Sequence, residues 1–109
     1  MNDMALRINA ENFEEKVLKA DKPVLVDFYS DSCIPCKQMA GILGDIEDEN
    51  EDDIYIYKVN VNYDRELAEK YKVMSVPTVI CFGRIRMEMM SVVRVLLLKF
   101  LQMSPNSLR

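Results

Sequence analysis

The apolar positions of this chain fall into short blocks separated by helical stripes. Ala5 to Ile8 reads as a short strand. Asn9 or Asn12 can cap a helix running to about Ala20, with Phe13, Val17 and Leu18 at helical spacing. Asp21-Lys22-Pro23 is a turn. Val24 to Tyr29 is apolar on both faces except at Asp27, the pattern of a buried central strand. Ser30-Asp31-Ser32 then offers helix-capping side chains just ahead of Cys33. A helix is expected from about Cys33 to Asn50, with Met39, Ile42, Leu43 and Ile46 as its apolar stripe and Gly41 and Gly44 as weak points. Ile54 to Val61 is rich in strand formers. Asp64 can cap a short helix, Arg65 to Tyr71, and Val76-Pro77-Thr78 leads into a strand, Thr78 to Phe82.

The resulting order is β-α-β-α-β-α-β, which implies an α/β fold with a mixed or parallel sheet covered on both faces. The last stretch reads differently. A strand around Met87 to Val93 and a helix from about Arg94 to Met103 are expected there. No repeat, low-complexity run or linker interrupts the chain, and its 109 residues fit a single domain, 1–109.

Charge refines this picture. The net charge is −4, which argues against nucleic acid as a general partner. The distribution is uneven: residues 1–83 hold 17 acids and 9 bases, whereas residues 84–109 hold 1 acid and 5 bases. The acidic cluster from Asp45 to Asp53 reads as a solvated helix end that could also steer basic partners. Met1 to Asn12 has no apolar run of signal-peptide length. Val92 to Leu101 is too short for a bilayer and carries Arg94 and Lys99. A cytoplasmic location without a membrane partner is the simplest reading. Nothing in the pattern calls for an oligomer, so a monomer is expected.

The candidate chemistry lies in Ser32-Cys33-Ile34-Pro35-Cys36-Lys37. Two cysteines stand two residues apart where a buried strand gives way to a helix. A thiol at a helix start faces unpaired N–H groups and the positive end of the helix dipole, and both favour the reactive thiolate. The second cysteine lies one turn on, within disulfide reach of the first. That is the minimal apparatus for thiol–disulfide exchange. The chain has no histidine and only three cysteines, so Cys–His catalysis is excluded and a closed four-ligand zinc site is disfavoured. Cys81, in a strand, reads as a small buried hydrophobe. Neither metal nor cofactor is expected.

The order of V-D-F, then C-x-P-C-K, then K-V-N, then V-P-T resembles the thioredoxin family, without obvious gaps from about Ala5 to Phe82. The resemblance implies the three-layer α/β/α thioredoxin fold with a central mixed sheet of four to five strands. It implies that Cys33 is the nucleophile and Cys36 the resolving cysteine, joined in a redox disulfide. Asp27 resembles the family's buried carboxylate, a proton acceptor for Cys36, and Lys58 its lysine partner. Pro77 resembles the family's cis-proline beside the disulfide, and the backbone of Val76 would pair with an extended substrate. Ile34 and Pro35 would touch the partner. Burial should raise the Asp27 pKa towards neutrality; its ordinary alternative is an edge-strand surface Asp. Lys58 could equally be a solvent-facing lysine, and a proline opening a strand is unremarkable because it lacks a ladder donor.

Four departures from the family pattern stand out. Ser32 occupies the position of a tryptophan, and the chain has none. Ile34 replaces a glycine, and Gly41 replaces a proline within the active-site helix. After Phe82 the pattern is lost, and Val93 falls about where a glycine bordering the substrate groove is expected, so its branched side chain would crowd that groove. Every codon pair for Met87-Glu88 contains a glycine codon in the frame starting on the third base. A shifted reading frame is therefore one origin for this tail, which sequencing of the source gene decides. The function expected is a protein-disulfide reductase that acts on disulfide-containing proteins and is recharged by a thioredoxin-reductase-type electron donor. A thioredoxin-like binding module of restricted or no redox activity is one alternative. A disulfide oxidant or isomerase built from the same residues is the other.

Overall fold

Strand β2, Val24–Tyr29, is the centre of the molecule, and its first five residues are all buried. In the computed structural model, which describes residues 6–84, 87 and 90–103, β2 pairs in parallel with β3, Tyr55–Asn60, and antiparallel with β4, Thr78–Phe82. The two-residue β1, Leu6–Arg7, joins the other side of β3 in parallel, giving the strand order β1-β3-β2-β4. A strand with neighbours on both sides and helices on both faces must be apolar throughout, as β2 is except at Asp27.

The period-two alternation of β2 sorts its residues between two cores. Val24, Val26 and Phe28 pack with Ile8, Phe13, Val17, Val59, Leu67 and Ala68. An aromatic trio, Phe13, Tyr71 and Phe82, closes that side with ring centroids 5.2–5.5 Å apart. Leu25 points the other way, into a core made with Met39, Leu43, Ile46, Ile54, Ile56 and Val92. By the same alternation Asp27 faces this second layer, beneath helix α1, Ile34–Glu49.

Helix α1 meets the sheet through Met39, Leu43 and Ile46, all buried, which are three of the four positions of the expected stripe. Neither Gly41 nor Gly44 lies on that buried stripe, and an added Cβ at either would meet nothing within 4 Å. Gly41→Ala and Gly44→Ala should therefore each stabilise the fold by about 0.5–1 kcal/mol, the helix-propensity difference. Urea unfolding checks this, and a lower midpoint for either variant contradicts it.

Several local expectations are corrected. The first helical segment is a short π-helical turn, Glu14–Leu18, shown by the Lys19 N–H to Glu14 carbonyl bond of 2.9 Å. Asn9 tightens its approach by accepting the N–H groups of Glu11 and Asn12. Asp64 precedes helix α2, Arg65–Lys70, without capping it. Its carboxylate instead accepts the Ala10 N–H at 3.1 Å, because β1 and β3 bring those two loops together.

The largest correction concerns the tail. Residues 90–93, expected as strand, open helix α3, Met90–Met103, and the sheet has four strands among the described residues. Residues 88 and 89 of the expected strand lie outside the described residues. Helix wins over the β-formers Val92 and Val93 because Val92 and Leu96, four residues apart, share one face. That face packs on the Leu25–Met39–Ile54 core. Gly83 ends β4 with φ +95°, a backbone conformation that glycine adopts without strain.

Candidate active site

The cysteines sit where the β2 ladder ends and α1 begins. Cys33 is the N-cap residue of α1, and its sulfur accepts the Cys36 N–H at 3.1 Å. The cap comes from the Cys33 sulfur itself rather than from Ser30, Asp31 or Ser32. Pro35 occupies the first turn of the helix, where its missing N–H costs nothing. Cys33 and Cys36 form a disulfide with Cα atoms 5.2 Å apart. The two sulfurs are not equivalent. Cys33 is partly exposed, whereas Cys36 is 4% exposed. Ile34, between them, is 70% exposed and presents an apolar side chain to whatever docks on the disulfide.

Asp27 lies under Cys36. The two residues line one cavity of about 180 Å³ together with Lys37, Ala40, Asp31 and Lys58. Asp27 is 3% exposed, and its Oδ1 has no hydrogen-bond partner. Burial pushes its pKa from 3.8 up to about 7, against the opposing pull of the Lys58 charge. Half-protonated near neutrality and opening on the same cavity as Cys36, the carboxyl is fitted to exchange a proton there. Lys58 is the register partner of Asp27 on β3. Its Nζ lies 5.4 Å from the centre of the Tyr29 ring, so it acts on Asp27 through space, and no ion pair joins the two among the described residues.

The Val76–Pro77 peptide bond is cis. Since Thr78 pairs with Phe28, Pro77 falls at the cysteine end of the sheet. A cleft of about 420 Å³ runs beside it, lined by Met39, Ser75, Thr78, Val79, Leu96 and Leu97. Its far wall is helix α3. Val93 is not part of this wall. It lines a small apolar gap with Pro23, Leu25 and Cys81, at the end of β4 remote from Pro77. The expectation that Val93 crowds the groove is therefore corrected: a helix turns it away and brings Leu96 and Leu97 forward. Cys81 is a free, partly buried thiol in β4, and burial raises its pKa.

Sequence reasoning gave no role to Asn60, met only as the end of the K-V-N motif, or to Tyr29. Asn60 is fully buried, and a polar residue ending a strand of β-formers was the available signal. The Tyr29 ring lies beside Lys58, whose Nζ is 5.4 Å from the ring centre. Among the described residues no group of three or more His, Cys, Asp or Glu could hold a metal ion, and no helix is long and apolar enough to cross a membrane.

A helix-capping disulfide with one accessible sulfur, a buried carboxyl behind it and a cis-proline alongside defines a thiol–disulfide oxidoreductase on a mixed α/β sheet. The comparisons agree. The thioredoxin family profile matches residues 4–93. A thioredoxin of Rickettsia bellii is 39% identical over 79 residues, covering 72% of this chain and 75% of its own. One of Acidithiobacillus ferridurans is 38% identical over 88 residues, 81% and 82% of the two chains. A bifunctional thioredoxin reductase/thioredoxin of Mycobacterium leprae is 35% identical over 79 residues, which are 72% of this chain and 17% of that protein. The chain belongs to the thioredoxin family, and its activity is protein-disulfide reduction by dithiol exchange.

Proposed function

We propose that Cys33 is the attacking thiol of this reductase and Cys36 the resolving one. The Cys33 thiolate attacks one sulfur of a substrate disulfide, forming a mixed disulfide and expelling the other substrate thiolate. Cys36 then loses its proton to Asp27 and attacks Cys33. The Cys33–Cys36 disulfide forms and the second substrate thiol leaves, so two electrons have passed to the substrate. The observation that carries this order is the unequal exposure of the two sulfurs. A substrate can reach only the outer one, and only the inner one opens on the cavity of Asp27.

Lys58 moderates the Asp27 charge. Ile34, Pro35, Val76 and Pro77 meet an extended substrate, with Leu96 and Leu97 in the place assigned to Val93. The substrates are disulfide-containing proteins. The electron donor is a reductase of the thioredoxin-reductase type, a reading supported by the Mycobacterium leprae relative whose name joins both activities in one chain. The protein works as a cytoplasmic monomer, without a bound cofactor and without nucleic-acid or membrane partners.

Equilibration of the Cys33–Cys36 pair with glutathione and dithiothreitol buffers tests the direction of electron flow. A two-electron transition near about −270 mV, the thioredoxin value, is expected. A midpoint near about −180 to −120 mV would make it an oxidant or isomerase instead. Absence of any reversible transition would leave a binding module.

A further inference from the structure

The loop between β2 and the attacking cysteine is held by few bonds of its own. Within it the Cys33 N–H reaches the Ser30 carbonyl at 3.4 Å. Its other tie comes from a different strand. Asn60, at the end of β3, is 0% exposed. Its Nδ2 donates to Asp31 Oδ1 at 3.3 Å, and its Oδ1 accepts the Asn62 N–H at 2.9 Å. The Asn60 carbonyl also accepts the N–H groups of Tyr63 and Asp64, and the Val61 N–H donates to Tyr29. The backbone is thereby locked at the root of the side chain, which leaves the amide little freedom to follow Asp31 elsewhere. Besides closing its own turn through the Asn62 N–H, this buried amide spends its donor on an exposed carboxylate two residues before the nucleophile, and a buried polar group is costly unless its bonds serve.

We propose that Asn60 is a positioning residue: its amide anchors the carboxylate of Asp31 and so holds the Ser30–Ser32 loop, and with it the cap position of Cys33, in the geometry that disulfide exchange requires. The inference rests on the reading of Cys33 as the attacking thiol. Asp31 also borders the cavity of Asp27, Cys36, Lys37 and Lys58, so loss of the anchor frees a charge at the mouth of the proton-accepting site.

The donor–acceptor polarity of this bond makes it testable. Asn60→Asp is nearly isosteric and keeps the acceptor for Asn62, but it sets two carboxylates against each other. Asp31→Asn keeps an acceptor for the Asn60 amide. The double variant N60D/D31N restores the bond with donor and acceptor exchanged. The groups that bias the carboxylate pair are Arg7 on β1, which interacts with Asp31 and Tyr29, Lys58 on β3, Lys37 on α1 and Asp27 on β2. Each variant is compared with the parent protein at each pH, which removes their own titration from the comparison.

The measurement is the rate of insulin disulfide reduction with dithiothreitol as electron source, from pH 5 to pH 8.5. N60D should approach the parent rate at pH 5, where a shared proton bridges the two carboxylates. It should fall about tenfold below the parent at pH 8, the effect of losing one hydrogen bond to a charged group. D31N should fall less than N60D at pH 8, because its neutral bond to the Asn60 amide survives. N60D/D31N should run faster than N60D at pH 8, because the bond between positions 60 and 31 is restored. A pH-independent loss in N60D, or a double variant no faster than N60D at pH 8, overturns the proposal and leaves Asn60 a packing residue. A Cys33→Ser chain that still reduces insulin would instead overturn the assignment of the nucleophile. The two failures are therefore distinguishable.

Discussion

Cys36→Ser should convert the protein from a reductase into a trap. The first attack needs only the Cys33 thiolate at the head of α1, whose N–H groups and dipole remain in place. The second needs a thiolate at position 36 to displace the substrate, and a serine hydroxyl is far too weak an acid to supply one. Turnover of a protein disulfide should fall by about three orders of magnitude or more, in line with loss of one member of a concerted catalytic set. A mixed disulfide should accumulate, visible by intact mass as one chain plus one substrate and discharged by dithiothreitol. Cys33→Ser should give neither turnover nor adduct, because Cys36 is 4% exposed and Cys81 is partly buried with its thiol pKa raised. An adduct in Cys33→Ser, or none in Cys36→Ser, would reverse the order of attack.

Asp27→Asn should make the protein more stable and slower at once. The folded-state pKa of Asp27 is about 7 against 3.8 unperturbed. Below about pH 4 the carboxyl is protonated in both folded and unfolded chains, and its burial carries no charge penalty. Between about pH 4 and 7 the unfolded chain releases the proton and the folded one retains it, so stability falls as pH rises. Above pH 7 the full cost is present. At about 1.4 kcal/mol per pH unit the shift corresponds to about 4 kcal/mol, and local relaxation brings the expected gain for Asp27→Asn to about 2–4 kcal/mol at pH 8.5. The gain should vanish by pH 4. Urea unfolding of the oxidised proteins at several pH values measures it, and a constant difference across the range would remove the charge from the explanation. The same substitution deletes the proton acceptor behind Cys36, so mixed-disulfide resolution near pH 7 should slow by about a hundredfold, the lower end of general-base effects.

Much of this site was legible because its signals are local. Cys33 and Cys36 lie within one helical turn, and the step from an apolar strand to a capped helix is written in adjacent residues. Asp27 was legible through contrast, as the single charge in a run apolar on both faces. The cap itself was misassigned: three polar residues precede Cys33, yet the sulfur takes the role. Asp31 is drawn instead to Asn60, 29 residues away, and Asp64 to Ala10, 54 residues away. A side chain with two possible partners goes where the fold puts the better one, and local propensity carries no information about the distant candidate.

The tail shows the same division. A strand was expected from Met87 to Val93, but the free face of the Leu25–Ile54 core selected a helix that buries Val92 and sets Leu96 and Leu97 along the groove beside Pro77. Sequence alone determined the element order through Phe82, the cysteine pair and its place at a helix start, and the buried carboxylate, because each rests on hydrophobic periodicity or on neighbours within a turn. Only the tertiary structure decided which sulfur meets solvent, that Lys58 reaches Asp27 across a ladder without pairing to it, that Asn60 anchors the cysteine loop, and which residues wall the groove. All of these depend on contacts between strands and helices far apart in the chain, and their energies exist only once the sheet has brought them together.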